Sequence, residues 1–211
     1  MTWLRAIRIA AWTGIAILSA VIAVYAGLAY RTAGLPQPLQ DTGAALVGGP
    51  FRLATHRGDA LSDKDLLGRP YAVFFGFTYC PDICPTTLYE LTGLLAELGP
   101  DADRLEVLFI TVDPERDTAE QLTAYMSAFD PRITALRGTI EETDAAVKAF
   151  KAYYRKVPLE GGDYTMDHTA GIILMGADGR FKGTLDLHEP RETQTAKLRR
   201  LIANTTPETG T

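Results

Sequence analysis

Apolar runs alternate with amphipathic stretches over most of the chain, and this pattern predicts its elements. Tyr71–Phe77 and Leu105–Val112 are continuous, β-prone runs, as expected of buried central strands. Between them, Thr86–Leu98 places its leucines on one helical face. The remaining pattern predicts helices over Thr118–Phe129, Glu141–Tyr153 and Glu192–Ile202, and strands over Ile133–Leu136, Tyr164–Met166, Gly171–Met175 and Phe181–Leu187.

This order of elements, three strand–helix units followed by a hairpin and a last helix, predicts an α/β domain. Hydrophobic residues make up 46% of the chain and charged residues 22%, which is enough apolar surface for a folded core. Helices that alternate with strands cover both faces of a sheet. We therefore expect a thioredoxin-like, three-layer domain with a mixed central sheet.

The N-terminal segment differs from the rest of the chain. Ile9–Tyr30 is a run of 22 residues without a charge, long enough at about 1.5 Å per residue to span a bilayer core. Arg5 and Arg8 precede the run, so the positive-inside bias places the N-terminus in the cytoplasm and residues 31–211 across the membrane. A cleaved signal peptide is the alternative, but the apolar run is longer than such peptides need. We expect a retained single-pass anchor in a bacterial inner membrane, with the globular domain in the periplasm.

These boundaries predict four parts of the chain. Residues 1–30 form the anchor, 31–48 a flexible tether rich in Gly, Ala and Pro, 49–206 the globular domain and 207–211 a disordered tail. Beyond the anchor there are 19 basic and 26 acidic residues, a net charge of −7. No cluster of Lys and Arg indicates a nucleic-acid partner.

The candidate chemistry lies in the stretch FFGFTYCPDICP, which contains both cysteines of the chain. Cys80 and Cys84 follow a predicted buried strand and precede a predicted helix, which places them at the strand's carboxyl end, where sites form in α/β sheets. Pro85 suits the first helical turn, and a helix N-terminus favours a thiolate at Cys84. A structural clasp, a redox pair and a soft-metal site are the three hypotheses. A clasp over so short a loop would stabilise the fold little.

A third donor separates the last two hypotheses. His168 enters the predicted strand Gly171–Met175, whose site-facing end could meet the cysteine loop. Two thiolates and one imidazole form a donor set that suits copper, with the sulfurs favouring Cu(I). His56 and His188 lie in polar turns, and we expect both to be solvated. The spacing C-x-x-x-C and the lack of proline between Leu159 and Glu189 depart from a thioredoxin redox site.

Three sequence blocks resemble the Sco/SenC family, the membrane-tethered copper proteins of cytochrome c oxidase assembly. The blocks are FTYCPDICPTTL, TVDPERDT (Thr111–Thr118) and DHTAGIILM (Asp167–Met175), within a match over roughly residues 49–203. The sequence departs from the family at Tyr79, where histidine is frequent, and at LMGADGRF. Neither departure removes a ligand.

The resemblance implies a copper chaperone, not an enzyme, that delivers copper to the CuA centre of oxidase subunit II. It implies Cys80, Cys84 and His168 as the ligands of one copper ion per chain, as Cu(I), Cu(II) or both. Asp113 either caps a turn or contributes to the site, and Asp167 either orients His168 or is an exposed turn acid. A copper donor and a thiol reductant are further expected partners.

The alternative function is a thiol–disulfide reductase that keeps the CuA cysteines of the oxidase reduced. Both functions require reduced thiols in an oxidising compartment, so they are compatible. We expect Cys80 and Cys84 to form a reversible disulfide that excludes copper, because oxidation removes the charge that makes thiolates ligands.

Overall fold

The computed structural model describes residues 3, 7, 12–14, 16–25 and 46–204, and the chain divides into the units Met1–Ala44 and Ala45–Thr211. The described residues of the first unit are helical. No helix in the described part of the chain combines the length and apolar character that a membrane crossing needs. The predicted span Ile9–Tyr30 falls only partly on these residues, and most of the tether 31–48 and all of the tail 207–211 lie outside them.

The second unit is built on a seven-stranded mixed sheet and a separate two-stranded sheet. The strands are β1 (Arg52–Thr55), β2 (Ala60–Ser62), β3 (Tyr71–Gly76), β4 (Glu106–Thr111), β5 (Ile133–Arg137), β6 (Tyr154–Pro158), β7 (Tyr164–His168), β8 (Ile172–Met175) and β9 (Phe181–Leu185). The seven-stranded sheet has the order β2-β1-β5-β4-β3-β8-β9, and within the described residues β6 pairs only with β7. Strands β3, β4 and β5 are parallel, and the other pairings are antiparallel.

Four helices accompany the sheet, and their ends follow from local side chains. They are α1 (Ile83–Leu98), α2 (Ala119–Met126), α3 (Ile140–Ala149) and α4 (Arg191–Ala203). The Thr118 side chain accepts a hydrogen bond from the Gln121 amide and so caps α2, and Thr139 with Glu142 forms a capping box on α3. Helices α1 and α4 contact each other. The predicted α/β class with a mixed, thioredoxin-like sheet is confirmed.

The structure corrects some predicted elements. Helix α3 was expected to continue to Tyr153, but it ends at Ala149, and Lys151 adopts a left-handed φ of 55° that interrupts the helix. Strand β6 was missed because YRKVP contains two charged residues, is mostly exposed and shows no apolar alternation. The hairpin of β1 and β2 was also missed, since strands of four and three residues give little pattern.

The central strands fix where a site can form. Every residue of β3 and β8 is buried, and the two strands pair antiparallel with Val73 opposite Ile173. The chain enters β8 at the edge of the sheet where β3 ends. The segments that precede β8 and follow β3 therefore meet, as the sequence predicted.

Candidate metal centre

The two cysteines occupy the connection between β3 and α1. Helix α1 begins at Ile83, so Cys84 is its second residue and Pro85 its third. This agrees with the predicted position at a helix N-terminus. Cys84 is completely buried and Cys80 is half-buried, and both are free thiols. The Cys84 amide donates a hydrogen bond to the Cys80 sulfur over 3.4 Å, so the start of the helix contacts this sulfur directly.

His168 reaches the cysteines from the end of β7. Its Nε2 lies 3.5 Å from the Cys84 sulfur, and the ligand atoms of Cys80, Cys84 and His168 all lie within 4.8 Å of one another. Its Nδ1 lies 3.1 Å from the carbonyl oxygen of Thr169. Because a carbonyl can only accept, Nδ1 carries the proton and the Nε2 lone pair faces the sulfurs. This is the orientation that a metal-ligating imidazole needs.

Two phenylalanine rings hold the imidazole in this position. Phe74 and Phe77 both meet the His168 ring edge-on, with centroids 6.3 Å and 5.7 Å away. Such edge-on contacts are favourable and directional. The imidazole is therefore restrained on one side by apolar rings and is open to the sulfurs on the other.

The expectation that Cys84 is a ready thiolate is wrong. Its burial raises the pKa of the thiol far above the ordinary range, and this outweighs the hydrogen bond from the Phe77 backbone, which lowers it. A helix N-terminus supplies only a partial charge, whereas desolvation acts on the full charge of a thiolate. A metal that binds here must displace the Cys84 proton.

The buried carboxylate of Asp117 holds the start of the cysteine loop through hydrogen bonds. Asp117 has no exposed surface, and it accepts hydrogen bonds from the Thr78 amide and hydroxyl and from the Thr111 hydroxyl. Burial raises the pKa of Asp117 above its usual value, although these hydrogen bonds lower it. Asp117 was not among the residues predicted from the sequence. Its position in TVDPERDT, after a buried strand, was the available signal.

Asp113 belongs to the turn after β4. Its side chain pairs with Arg116 at 2.5 Å and accepts from the Tyr164 hydroxyl at 2.9 Å, while its backbone oxygen accepts from the amides of Arg116 and Asp117. It does not belong to the one group of three or more His, Cys, Asp and Glu side chains that converges among the described residues. Asp113 therefore closes the turn through its backbone oxygen, while its side chain contacts Arg116 and Tyr164.

Asp167 does not orient His168. Consecutive residues on a strand point to opposite faces, so the Asp167 carboxylate faces away from the imidazole. It is exposed and pairs with Arg155 at 3.4 Å. The Thr169 carbonyl takes the orienting role that was considered for Asp167.

Gly76 leaves the space that the Cys84 sulfur occupies. A β-carbon at this position would lie 2.9 Å from that sulfur and 2.6 Å from a ring carbon of Phe109. Both distances are far below ordinary contact, so any side chain here would displace the thiol or the ring. Gly76 lies in the stretch FFGFTYCPDICP, but no local pattern in the sequence predicted this role.

The other two histidines lie elsewhere. His188 is exposed, as expected. The expectation that His56 is solvated is wrong, because it is partly buried and its Nδ1 accepts from the Ala135 amide at 3.1 Å. Strand β1 pairs with β5 just before His56, which brings this side chain next to Ala135. The sequence pattern did not predict this pairing.

The three converging side chains can hold one metal ion. In zinc sites metal–sulfur bonds are about 2.3 Å long, so two sulfurs on one ion lie at most about 4.6 Å apart, close to the spread observed here. Two sulfurs and one nitrogen suit a soft or borderline cation. The half-buried Cys80 and His168 leave access for a ligand or a partner from the surface.

Known proteins resemble this chain over most of the folded domain. Residues 39–203 match the sequence profile of the family described as SCO1/SenC. The human mitochondrial protein SCO1 homolog is 43% identical over 145 residues, 66% of this chain and 47% of its own length. Mitochondrial SCO1 homolog 1 of Arabidopsis thaliana is 37% identical over 67% of this chain and 42% of its own length. The chain thus spans about half the length of these relatives.

Solved structures share the fold. The copper-bound structure of Bradyrhizobium japonicum ScoI is 46% identical, with a TM-score of 0.70, and the match covers 74% of this chain and 99% of that one. The copper-bound structure of yeast Sco1 is 36% identical, with a TM-score of 0.70, over 77% of this chain and 91% of that one.

Proposed function

The chain belongs to the SCO1/SenC family, and we propose that it is a copper chaperone that binds one copper ion through Cys80, Cys84 and His168. The observation that carries this proposal is the convergence of the three ligand atoms within 4.8 Å. Copper is bound in two solved relatives that cover most of this chain at 46% and 36% identity. The donor set of two sulfurs and one imidazole nitrogen suits that metal.

The site can serve both oxidation states of copper. Two thiolates alone can hold Cu(I), whereas Cu(II) prefers nitrogen and a higher coordination number. His168 offers its Nε2, which lies 3.5 Å from the Cys84 sulfur, for this purpose. We infer that the two cysteines provide the affinity for copper in both oxidation states and that His168 adds affinity mainly for Cu(II).

The recipient that we propose is the CuA centre of cytochrome c oxidase subunit II. We propose that residues 1–30 anchor the chain in a membrane, that 31–48 form the tether, that 49–206 are the copper domain and that 207–211 are a disordered tail. In a bacterium the domain would face the periplasm from the inner membrane. Several relatives are named as mitochondrial proteins. A copper donor and a thiol reductant would complete the cycle.

Thiol–disulfide exchange is the second candidate function. It is favoured by the half-buried Cys80, whose sulfur accepts a hydrogen bond from the Cys84 amide. An accessible thiol next to a second one is what exchange requires, since the thiolate is the nucleophile. In this function the Cys80 thiolate would attack a disulfide of the oxidase subunit, and Cys84 would resolve the mixed disulfide, leaving two thiols on the substrate and a Cys80–Cys84 disulfide here.

One experiment separates the two functions. The reduced full chain, loaded with copper, is mixed with a reduced, metal-free CuA-domain fragment of subunit II, and formation of the CuA absorption bands is followed. We expect metal transfer that depends on His168, with slow reduction of unrelated disulfides by the metal-free chain. Fast disulfide reduction that survives His168→Ala, without copper transfer, would instead establish the reductase.

A further inference from the structure

The strand that bears His168 is not part of the main sheet. Among the described residues, β6 and β7 pair only with each other, from Tyr154 opposite His168 to Pro158 opposite Tyr164. We call residues 154–168 the histidine hairpin. Residues 169–171 join His168 to β8, whose pairing with β3 brings this end of the hairpin near the cysteine loop. In the described part of the chain no strand pairing holds the rest of the hairpin to the central sheet, so side-chain contacts have to orient it.

Near the start of β7, polar side-chain contacts connect the histidine hairpin with the loop of residues 113–117. Arg116 Nη1 donates to the Tyr164 backbone oxygen at 2.9 Å and to Asp163 at 3.2 Å, and Arg116 Nε pairs with Asp113 at 2.5 Å. The Tyr164 hydroxyl donates to the same Asp113 carboxylate at 2.9 Å. Arg116 is mostly buried and Asp113 almost completely so, which makes this pairing stronger than an exposed ion pair.

The same guanidinium also contacts the cysteine loop. Its central carbon lies 3.7 Å from the centroid of the Tyr164 ring, 4.7 Å from that of Tyr79 and 6.0 Å from that of Phe77. A guanidinium over aromatic rings is stabilised by its charge and by stacking. Phe77 in turn meets the His168 ring edge-on at 5.7 Å. One side chain thus links the histidine hairpin with the residues on either side of Thr78.

We propose that Arg116 is a positioning residue that sets His168 against the cysteine pair. The proposal rests on the function above, in which the three side chains hold copper. Arg116 does not touch the ligand atoms, and its loss should let the hairpin shift while the cysteine loop stays fixed by Asp117. The affinity that His168 supplies should then fall, and the affinity of the two cysteines should remain.

Lysine cannot replace arginine in this position. It keeps the positive charge but has neither the planar group that stacks between two rings nor the several donors that reach Asp113 and Tyr164 together. Arg116→Lys therefore separates the geometry of the residue from its charge. Arg155→Lys is the matched control, because Arg155 lies on the same hairpin but pairs with Asp167 at the surface.

The test measures the Cu(II) and Cu(I) affinities of the full chain by competition titration. Electron paramagnetic resonance of the Cu(II)-loaded chain also measures the hyperfine coupling of the metal to nitrogen. For Arg116→Lys we expect Cu(II) affinity to fall by about 10- to 100-fold, the usual range for lost outer partners of a ligand, with weaker nitrogen coupling and unchanged Cu(I) affinity. Arg155→Lys should change neither. Equal losses for both ions, or no loss of Cu(II) affinity, would overturn the proposal.

Two further measurements test the positioning role of Arg116 separately from the proposed copper function. Amide hydrogen exchange of residues 154–168 in the reduced, metal-free chain should be faster in Arg116→Lys than in the wild type, whether or not copper binds. Unchanged exchange would overturn the positioning role, whereas absence of copper binding by the wild type would overturn only the proposed function. If Arg116→Lys does not fold, Tyr164→Phe replaces it as the test. This variant removes only the hydrogen bond from the Tyr164 hydroxyl to Asp113, so we expect a smaller but still selective loss of Cu(II) affinity. If Cu(II) affinity shows no selective loss in Tyr164→Phe, the proposal is overturned.

Discussion

The two halves of the site are held in different ways. The cysteine loop lies between a buried strand and a helix that share the central core, and Asp117 ties its Thr78 from below. The histidine hairpin lies outside the seven-stranded sheet and is joined to the loop 113–117 by side chains. The cysteine half is therefore held by a core strand, a core helix and one buried carboxylate, and the histidine half by its connection to β8 and by side-chain contacts of the hairpin.

In the proposed chaperone, this difference would separate holding the metal from releasing it. The pair of sulfurs would keep Cu(I) bound, while His168 on a separately supported hairpin could be withdrawn without unfolding the core. It also predicts that substitutions in the cysteine half affect both oxidation states, and that substitutions in the histidine half affect mainly Cu(II).

The largest effect is expected from Cys84→Ser, which removes a ligand from the rigid half. A serine hydroxyl is a poor ligand for a soft cation, so affinity for both Cu(I) and Cu(II) should fall by more than the 10- to 100-fold that follows loss of an outer partner. Competition titration of the reduced chain measures both affinities. His188→Ala, at an exposed position, is the control. A Cys84→Ser chain that binds Cu(I) normally would place the site elsewhere.

A smaller effect is expected from Gly76→Ala, which alters the packing of the same half without removing a ligand. The added methyl would overlap the Cys84 sulfur and the Phe109 ring, and overpacking of this kind costs about 1–3 kcal/mol of unfolding free energy. Denaturant unfolding measures the loss, and affinity for both copper ions should fall together. Gly171→Ala is the matched control, because a β-carbon there meets nothing within 4 Å. Equal stability of the two variants would contradict this account of the glycine.

The smallest effect concerns the pH dependence that Asp117 gives to the cysteine half. Because burial raises the pKa of Asp117 in the folded state, its contribution to stability is greatest below the ordinary Asp pKa of about 3.9 and is lost as pH rises through the folded pKa. Asp117→Asn does not titrate at this position. The unfolding free energy of the wild type relative to this variant should therefore fall from acid toward neutral pH. A rise would mean that the three hydrogen bonds outweigh the burial.

The sequence predicted the cysteine half better than the histidine half, for physical reasons. The strand before Cys80 and the helix around Cys84 follow from continuous apolar runs and a proline, which are local signals. His168 could be proposed because it is one of three histidines and precedes a core strand, but its hairpin partner β6 gave no apolar pattern.

The residues that complete the site left weaker signals. Asp117 acts on Thr78, 39 positions away, and Arg116 on Tyr164, 48 positions away, so no local pattern reports either contact. Gly76 matters because a side chain there would overlap the Cys84 sulfur and the Phe109 ring, and only the packed structure shows this. The thiolate expectation for Cys84 failed because the sequence shows the helix start but not the depth of burial.

X-ray absorption of the copper-loaded full chain tests the central claim most directly, because it counts sulfur and nitrogen neighbours of the metal. With Cu(II), the account predicts two sulfurs and one imidazole nitrogen from the protein in the wild type, and loss of that nitrogen with both sulfurs retained in His168→Ala. His56→Ala should leave the spectrum unchanged. Fewer than two sulfurs in the wild type, or an imidazole that persists in His168→Ala, would contradict the assignment of Cys80, Cys84 and His168 as one copper site.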